Sequence, residues 1–148
     1  MTAFEPRDPN WEERVRRSFA RQPFMGHLGA SLSHLASGEV DIEMPHRAEL
    51  TQQHGFFHAG STTSIADSAA GYAALSLYPA GTGVLSTEFK INLLNPGKGE
   101  KLVARGRVIK PGRTLTICRS DVYGVTGGRE IHVATGLFSM ICLEGVED

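Results

Sequence analysis

The residue in this sequence best suited to chemistry is Asp67, the one carboxylate within residues 62–77 (TTSIADSAAGYAALSL). The segment has the length of a helix and contains no lysine, arginine, glutamate or histidine. A helix without a charged face is expected to be buried, and a buried carboxylate without a partner is costly. Either hydrogen bonds hold Asp67 within the packing, or Asp67 lines a cavity and has a pKa suited to proton transfer. The helix alone favours neither interpretation.

The segment before this helix, QQHGFFHAG at residues 52–60, favours the chemical interpretation. At the start of the helix, around Gly60 and Ser61, backbone N–H groups lack intrahelical partners and the helix dipole is positive. Such amides can hold a carbonyl oxygen on which negative charge develops. Because Asp67 follows about two turns later, one element offers both an oxyanion site and a carboxylate. This combination suits attack on an acyl carbonyl.

The rest of the chain predicts an α+β domain. Asp8 as N-cap and Pro9 at the first helical position begin a short amphipathic helix, with an apolar stripe of Trp11, Val15 and Phe19. Strand-like runs occupy residues 28–35, 40–44, 84–94, 101–109, 114–123 and 129–142, and 45–60 reads as loop. Short turns between successive strands predict an antiparallel sheet. No repeat or linker divides the sequence, so we interpret residues 1–148 as one domain with 1–27 as an N-terminal extension.

The residues around Asp67 resemble the HGG…D signature of PaaI-type hotdog-fold acyl-CoA thioesterases. The resemblance rests on Gln52, on His58-Ala59-Gly60 and on Asp67, and it continues through residues 83–88, 91–96 and 112–115. It extends from about residue 28 to 142. It implies a hotdog fold, in which an antiparallel sheet wraps a long central helix. It also implies hydrolysis of an acyl- or aryl-CoA thioester to the free acid and CoA.

The resemblance assigns the catalytic roles. Asp67, contributed by a partner subunit, is the general base, or the nucleophile that passes through an anhydride. Gln52 positions the attacking water or the thioester, and His58 is an orienting residue that hydrogen-bonds near Gln52. The active site would therefore lie at the interface of a homodimer or homotetramer.

The same resemblance implies residues that bind the substrate. The backbone N–H of Ala59, beside Gly60, donates to the thioester carbonyl, and Ser86 is a strand hydroxyl that helps to hold the water. Ala59 replaces the second glycine of HGG, a change that a backbone donor tolerates where φ is negative. Phe57 either lines the acyl pocket or packs beneath the loop.

Basic residues are concentrated between positions 90 and 119, where eight of them accompany one acidic residue, Glu100. They are Lys90, Lys98, Lys101, Arg105, Arg107, Lys110, Arg113 and Arg119. Such residues are commonly solvated strand and turn positions. The alternative is a patch for the phosphates of CoA, with Arg105 and Arg113 as its candidates.

Other functions are open to the same sequence. His54 and His58 have a spacing that suits zinc only on a helix, so we expect no metal. A hydratase or dehydratase acting on acyl thioesters would need a different arrangement of histidine and acid. A non-catalytic acyl-CoA-binding protein is the remaining alternative. Release of free thiol from acyl-CoA distinguishes hydrolysis from both.

The composition limits the partners. A net charge of −1 argues against general nucleic-acid binding. The sequence contains no run of about 18 apolar residues, so no membrane-spanning helix is predicted. The charged N-terminus does not resemble an export signal, and Cys118 and Cys142 lie in strand-like runs as isolated thiols. We therefore expect a cytoplasmic protein that needs no cofactor beyond the CoA of its substrate.

Overall fold

The computed structural model describes residues 4–146 and residue 148. Two short helices, α1 (Trp11–Ala20) and α2 (Pro23–His27), precede the first strands, and a long helix, α3 (Ala59–Leu75), follows them. The strands are β1 (Ser31–Ala36), β2 (Glu39–Pro45), β3 (Thr82–Leu93), β4 (Lys101–Lys110), β5 (Leu115–Thr126) and β6 (Arg129–Glu144). This order confirms the predicted α+β class. Helix α2 and a 3-10 turn at Ala48–Leu50 were not predicted.

The start of α1 differs from the prediction. The N-cap is Asn10, and neither Asp8 nor Pro9 lies in the helix. The Asp8 carboxylate instead accepts a hydrogen bond from the Asn10 backbone N–H at 2.8 Å and forms a buried ion pair with Arg14 at 3.3 Å. Because the Asn10 amide and the Arg14 guanidinium both bind the Asp8 carboxylate, Asp8 does not cap the helix, and α1 begins after it.

The six strands form one antiparallel sheet in the order β1-β2-β4-β5-β6-β3. Alternate residues of each central strand face the helix, as the period of a strand requires. In β2 the buried positions are Val40, Ile42 and Met44, which the alternation in the sequence predicted. β1 and β3 are the two edges.

Helix α3 crosses the inner face of this sheet and is almost wholly buried. Its alanines let the sheet backbone come close. At Gly106 of β4, an added Cβ would lie 2.3 Å from the backbone of Ala69. The small residues of α3 are therefore required by the close packing of the helix on the sheet. This confirms the predicted helix wrapped by a sheet, and α3 begins at Ala59, three residues earlier than the sequence indicated.

The N-terminal helix is fixed to the far end of α3. The buried Arg14 guanidinium donates to the carbonyl oxygens of Leu75 (2.9 Å), Tyr78 (2.9 Å) and Pro79 (2.8 Å). These carbonyls lie at or just beyond the C-terminus of α3, where a cation is favoured. Among the described residues, no helix is long and apolar enough to cross a bilayer.

Candidate active site

Asp67 lies on the side of α3 that faces the edge strand β3. The Ser86 hydroxyl donates a hydrogen bond to Asp67 Oδ1 at 2.6 Å. The register of β3 against β6 shifts between Ser86 and Glu88, which is where bulges typically re-aim a side chain. The structure thus brings together two residues that the resemblance had named, 19 positions apart in the sequence.

The two residues line a cavity of about 190 Å³, here named the Asp67 cavity. Its walls come from α3, β3, the segment before α2 and Asp148. Burial raises the pKa of Asp67 above its ordinary value, and the hydrogen bond from Ser86 offsets part of that rise. A carboxylate with a raised pKa is a stronger proton acceptor than one in water, which suits a general base.

The loop before α3 is folded tightly around Gln52. Thr51 pairs with Phe57 as an isolated bridge, the Gln52 N–H donates to the carbonyl of Phe56 at 2.9 Å, and the Gly55 N–H donates to that of Gln52 at 2.9 Å. Gly55 has a φ of +82°, a conformation that glycine adopts readily. The Gln52 side-chain oxygen accepts from the backbone N–H of His54.

His58 is the N-cap of α3, and its Nδ1 accepts a hydrogen bond from the Gly60 N–H at 2.7 Å. A Cβ at Gly60 would lie 2.9 Å from that nitrogen, so glycine is needed there for the cap to form. In this chain the imidazole therefore fixes the start of the helix and is not bonded to Gln52, which differs from the expected orienting contact.

This cap changes which amide is available at the helix start. Because the Gly60 N–H is engaged by His58, the amide of Ala59, the first residue of α3, is the better placed donor for a carbonyl oxygen. No described non-glycine residue has a positive φ, so alanine fits the second position of the motif without strain. Ala59 is exposed.

Gln52 and Ala59 line a second cavity of about 410 Å³, here named the Gln52 cavity, together with Phe56 and Leu93. Asp67 does not line it. Within one chain the carboxylate and the amide site are therefore apart. This separation is what the expected shared active site requires.

Phe57 also lines the Gln52 cavity, but its side chain is buried. It packs edge-on against His46, with ring centroids 5.2 Å apart, and its N–H donates to the carbonyl of Gly97 at 2.8 Å. These contacts favour packing beneath the loop over contact with an acyl group. Its neighbour Phe56 is half-buried, with the Lys98 ammonium 4.9 Å from the ring centroid.

Four of the eight basic residues in the run form ion pairs, three of them with carboxylates on other strands. Arg105 bonds to Glu130, with one N–O distance of 3.0 Å, and stacks on Tyr123. The other ion pairs are Lys101 with Glu43 (2.7 Å), Arg107 with Asp41 (2.5 Å) and Arg119 with Asp121 (2.7 Å). The carboxylates come from β2, β5 and β6, so these four basic residues are neutralised by acidic residues that lie outside the run or at its edge in the sequence. Arg105 and Arg113 line neither of the two cavities.

Sequence reasoning identified only Asp67 and Ser86 among the residues that line the Asp67 cavity, and it missed Gln22, Tyr72 and Asp148 among others. Gln22 and Asp148 are brought to Asp67 by the docking of α1 and by the residues after β6. No local pattern marks either of them. Tyr72 lies five positions after Asp67 on the same helix, about 140° around its axis, so the helical spacing does not mark it as a neighbour of Asp67 either.

Comparison with known proteins places this site in a family. The profile of the Thioesterase superfamily matches residues 54–131. Acyl-coenzyme A thioesterase 13 of Homo sapiens is 32% identical over 97 residues, which are 65% of this chain and 69% of that protein. A thioesterase family protein from Silicibacter pomeroyi has 47% identity and a TM-score of 0.89, with 91% of this chain and 99% of that chain covered.

The fold of the PaaI protein of Escherichia coli is also similar, with a TM-score of 0.83 at 19% identity, covering 95% of this chain and 98% of that one. An antiparallel sheet around one long helix, with a carboxylate at the sheet edge, is the architecture of a hotdog-fold hydrolase. The chain belongs to the Thioesterase superfamily and is a thioester hydrolase with the hotdog fold, which the PaaI protein shares.

Proposed function

We propose that the protein hydrolyses acyl-CoA thioesters and that Asp67 is the residue that activates the attack. The observation that carries the proposal is the Asp67–Ser86 pair in a cavity, where burial raises the pKa of the carboxyl group. A structural aspartate would be surrounded by donors, whereas the described residues supply Asp67 with one side-chain hydrogen bond.

In the base route, Asp67 takes a proton from water as the water oxygen attacks the thioester carbon. The carbonyl oxygen gains negative charge, and the Ala59 N–H at the helix start stabilises it. The C–S bond then breaks, and the CoA sulfur leaves as a thiol with the proton from Asp67. In the nucleophilic route the carboxylate attacks the thioester carbon and the C–S bond breaks, so that CoA leaves as a thiolate and a mixed anhydride forms. Water then hydrolyses the anhydride, which releases the acid, restores the Asp67 carboxylate and supplies the proton that the thiolate takes up. Gln52 positions the water or the thioester in both.

We further propose that two copies complete the site. β3 is an edge strand, and its Phe89 and Leu93 side chains are 49% and 56% exposed. Exposed apolar residues on an edge strand favour pairing with another strand. In the arrangement that we propose, β3 pairs antiparallel with β3 of a second copy about a point between Phe89 and Lys90, so that Ser86 of one protomer lies towards Leu93 of the other. The Asp67 cavity of one copy then adjoins the Gln52 cavity of its partner. A tetramer of two such dimers, and a cytoplasmic location, remain predictions.

Arg105 and Arg113 were expected at the CoA phosphates, but Arg105 is held by Glu130 and neither residue lines either cavity. Lys98 belongs to the same basic run and lies against Phe56, which lines the Gln52 cavity. We therefore place the first phosphate contact at Lys98.

The proposed function is tested by thiol release from acyl-CoA and by mixing variants. Asp67→Asn and Gln52→Ala are each expected to be nearly inactive. If each site takes Asp67 from one copy and Gln52 from the other, random exchange of subunits yields heterodimers with one intact site. Activity then returns to about one quarter of wild type, since about half of the dimers are heterodimers.

The control is a mixture of Asp67→Asn with the double variant carrying both substitutions, which can form no intact site. Recovery in the control, or none in the test mixture after verified exchange, would contradict a shared site. Tight binding of acyl-CoA without thiol release would favour the non-catalytic alternative.

A further inference from the structure

The Asp67 cavity extends along α3 away from the helix start. Asp67, Ser68, Gly71 and Tyr72 all line it, and the rise of a helix places Tyr72 about 7.5 Å beyond Asp67. Val84, Ser86 and Met140 form the side towards the sheet. The cavity therefore runs from the carboxylate towards the C-terminal half of α3.

Residues from three separate parts of the chain form a polar wall of this cavity. They are Gln22, Tyr72 and Asp148. The Asp148 carboxylate is held by two hydrogen bonds, from the Ser18 hydroxyl (3.1 Å) and from the Val84 N–H (2.9 Å). The Ser18 hydroxyl also lies 3.2 Å from that of Tyr72. This side of the cavity is thus a connected polar wall.

Gly71 is the position at which α3 leaves open space beside the cavity. An ideal Cβ on Gly71 meets no heavy atom within 4 Å, although the residue is a buried part of α3. This contrasts with Gly106, where a Cβ would overlap backbone. Packing does not require glycine at 71, and the space beside it belongs to the cavity.

We propose that the Asp67 cavity receives the acyl group of the thioester, and that Gly71 and the wall of Gln22, Tyr72 and Asp148 select compact, uncharged acyl groups. This inference rests on the proposed function, because it places the thioester carbon beside Asp67. A cavity of about 150 Å³ can hold benzene, so 190 Å³ admits an acyl group of about that size.

Charge supports the second half of the proposal. Asp67 and Asp148 both line the cavity, and no basic side chain is among its described lining residues. Arg21 acts electrostatically on Tyr72, but it is exposed and does not line the cavity. An acyl group that ends in a carboxylate would therefore meet like charge at the wall. Juxtaposed like charges disfavour binding by several kcal/mol when desolvated.

Size selection is tested by filling the cavity at Gly71. Gly71→Leu should lower kcat/KM for benzoyl-CoA or hexanoyl-CoA by about tenfold or more, while kcat/KM for acetyl-CoA changes less than about threefold. Gly71→Ala is a milder change that is expected to favour the helix. It should lower kcat/KM by a smaller factor, again more for the larger acyl groups than for acetyl-CoA. Gly26→Ala is the matched control, since its Cβ also meets open space but lies in α2, outside the cavity.

Charge selection is tested by comparing butyryl-CoA with succinyl-CoA, which differ mainly in the terminal carboxylate. Wild type should prefer butyryl-CoA, and Asp148→Asn should narrow that preference by about fivefold or more. Melting temperatures establish that each variant is folded. The two proposals fail in different ways. If wild type hydrolyses no acyl-CoA, the proposed function fails. If it hydrolyses them but the substitutions change all substrates equally, the acyl-site inference is overturned.

Discussion

Two aspartates, one on helix α3 and one on strand β5, lie on opposite sides of the sheet, and their environments shift their pKa values in opposite directions. Asp67 faces the inner side, where burial raises its pKa and Ser86 is its side-chain donor. Asp121 projects from β5 to the outer side. Burial alone would raise its pKa, but hydrogen bonds from Thr135, Arg119 and His132 lower it. The fold stabilises the ionised form of Asp121 and destabilises that of Asp67. An ionised group kept in an unfavourable site is a candidate for function.

The same contrast extends to the surroundings of each carboxylate. On the outer face, carboxylates have basic partners on neighbouring strands, as in the pairs of Arg107 with Asp41 and of His132 with Asp121 (2.9 Å). On the inner face the neighbours of Asp67 are small, such as Ala66, Ser68 and Gly71. Small neighbours leave space for a ligand beside Asp67, whereas Asp41 and Asp121 on the outer face already have charged or hydrogen-bonding partners.

The largest effect should come from removing the inner charge. Asp67→Asn keeps the shape and an oxygen that can accept from Ser86, but it removes the base or nucleophile. Turnover should fall by roughly 10² or more, as for other losses of a general base, while acyl-CoA binding persists. Steady-state kinetics and isothermal titration calorimetry measure the two quantities.

Asp121→Asn is the matched control, because it makes the same chemical change on the outer face and should alter turnover less than about twofold. Near-normal turnover in a folded Asp67→Asn variant would refute the catalytic assignment, and Gln52→Ala would become the next variant to examine.

How far the sequence anticipated this contrast depends on whether the signal was local. The absence of charge in residues 62–77 indicated a buried helix, and α3 confirmed it. The resemblance named both Asp67 and Ser86 as site residues, although it did not predict the hydrogen bond that joins them. Both results came from features visible within short segments or a known motif.

Where partners come from distant strands, sequence reasoning was less successful. The basic run was interpreted as a possible phosphate patch, because Glu43, Asp41 and Glu130 lie outside the run and become neighbours only in the sheet. The predicted helix start at Asp8 was wrong for a local reason, since the Asn10 amide and Arg14, two and six positions later, engage its carboxylate. Asp148 lies 81 positions from Asp67 and carries no motif.

A smaller effect is expected from Ser86→Ala, which changes the environment of Asp67 without removing it. The Ser86 hydrogen bond lowers the pKa of Asp67, so its loss should raise that pKa further. The acidic limb of the kcat/KM profile should then move to higher pH, and kcat should fall by about tenfold, given the strength of a hydrogen bond to a charged group. Thr135→Ala, which removes a donor to Asp121 on the outer face, should leave the pH profile unchanged. An unshifted pH profile in Ser86→Ala would show that the Ser86 hydrogen bond does not set the pKa that controls activity.

The smallest effect, and the most direct test of the contrast, is the stability of the two Asp→Asn variants as pH changes. The pKa of Asp121 is lowered from its ordinary value of 3.8 in the folded protein. Its charge therefore contributes stability above pH 3.8, and that contribution is lost as pH falls through the folded-state pKa. Because Asp121 is partly exposed, Asp121→Asn should reduce the free energy of unfolding at pH 7 by only about 0.5–1 kcal/mol.

For Asp67 the sign is reversed. Its pKa is raised from 3.8, so the group favours folding below pH 3.8 and this advantage disappears as pH rises through the folded-state pKa. At pH 7 the ionised carboxylate opposes folding, and Asp67→Asn should raise the melting temperature. At pH 3 the difference in melting temperature between Asp67→Asn and wild type should shrink, because the Asp67 carboxyl group is then largely protonated and, like the asparagine, neutral. Melting curves of the two variants between pH 3 and 8 should therefore show shifts of opposite sign at neutral pH. Shifts in melting temperature of the same sign would contradict the contrast, because they would mean that both environments favour, or both disfavour, the ionised carboxylate.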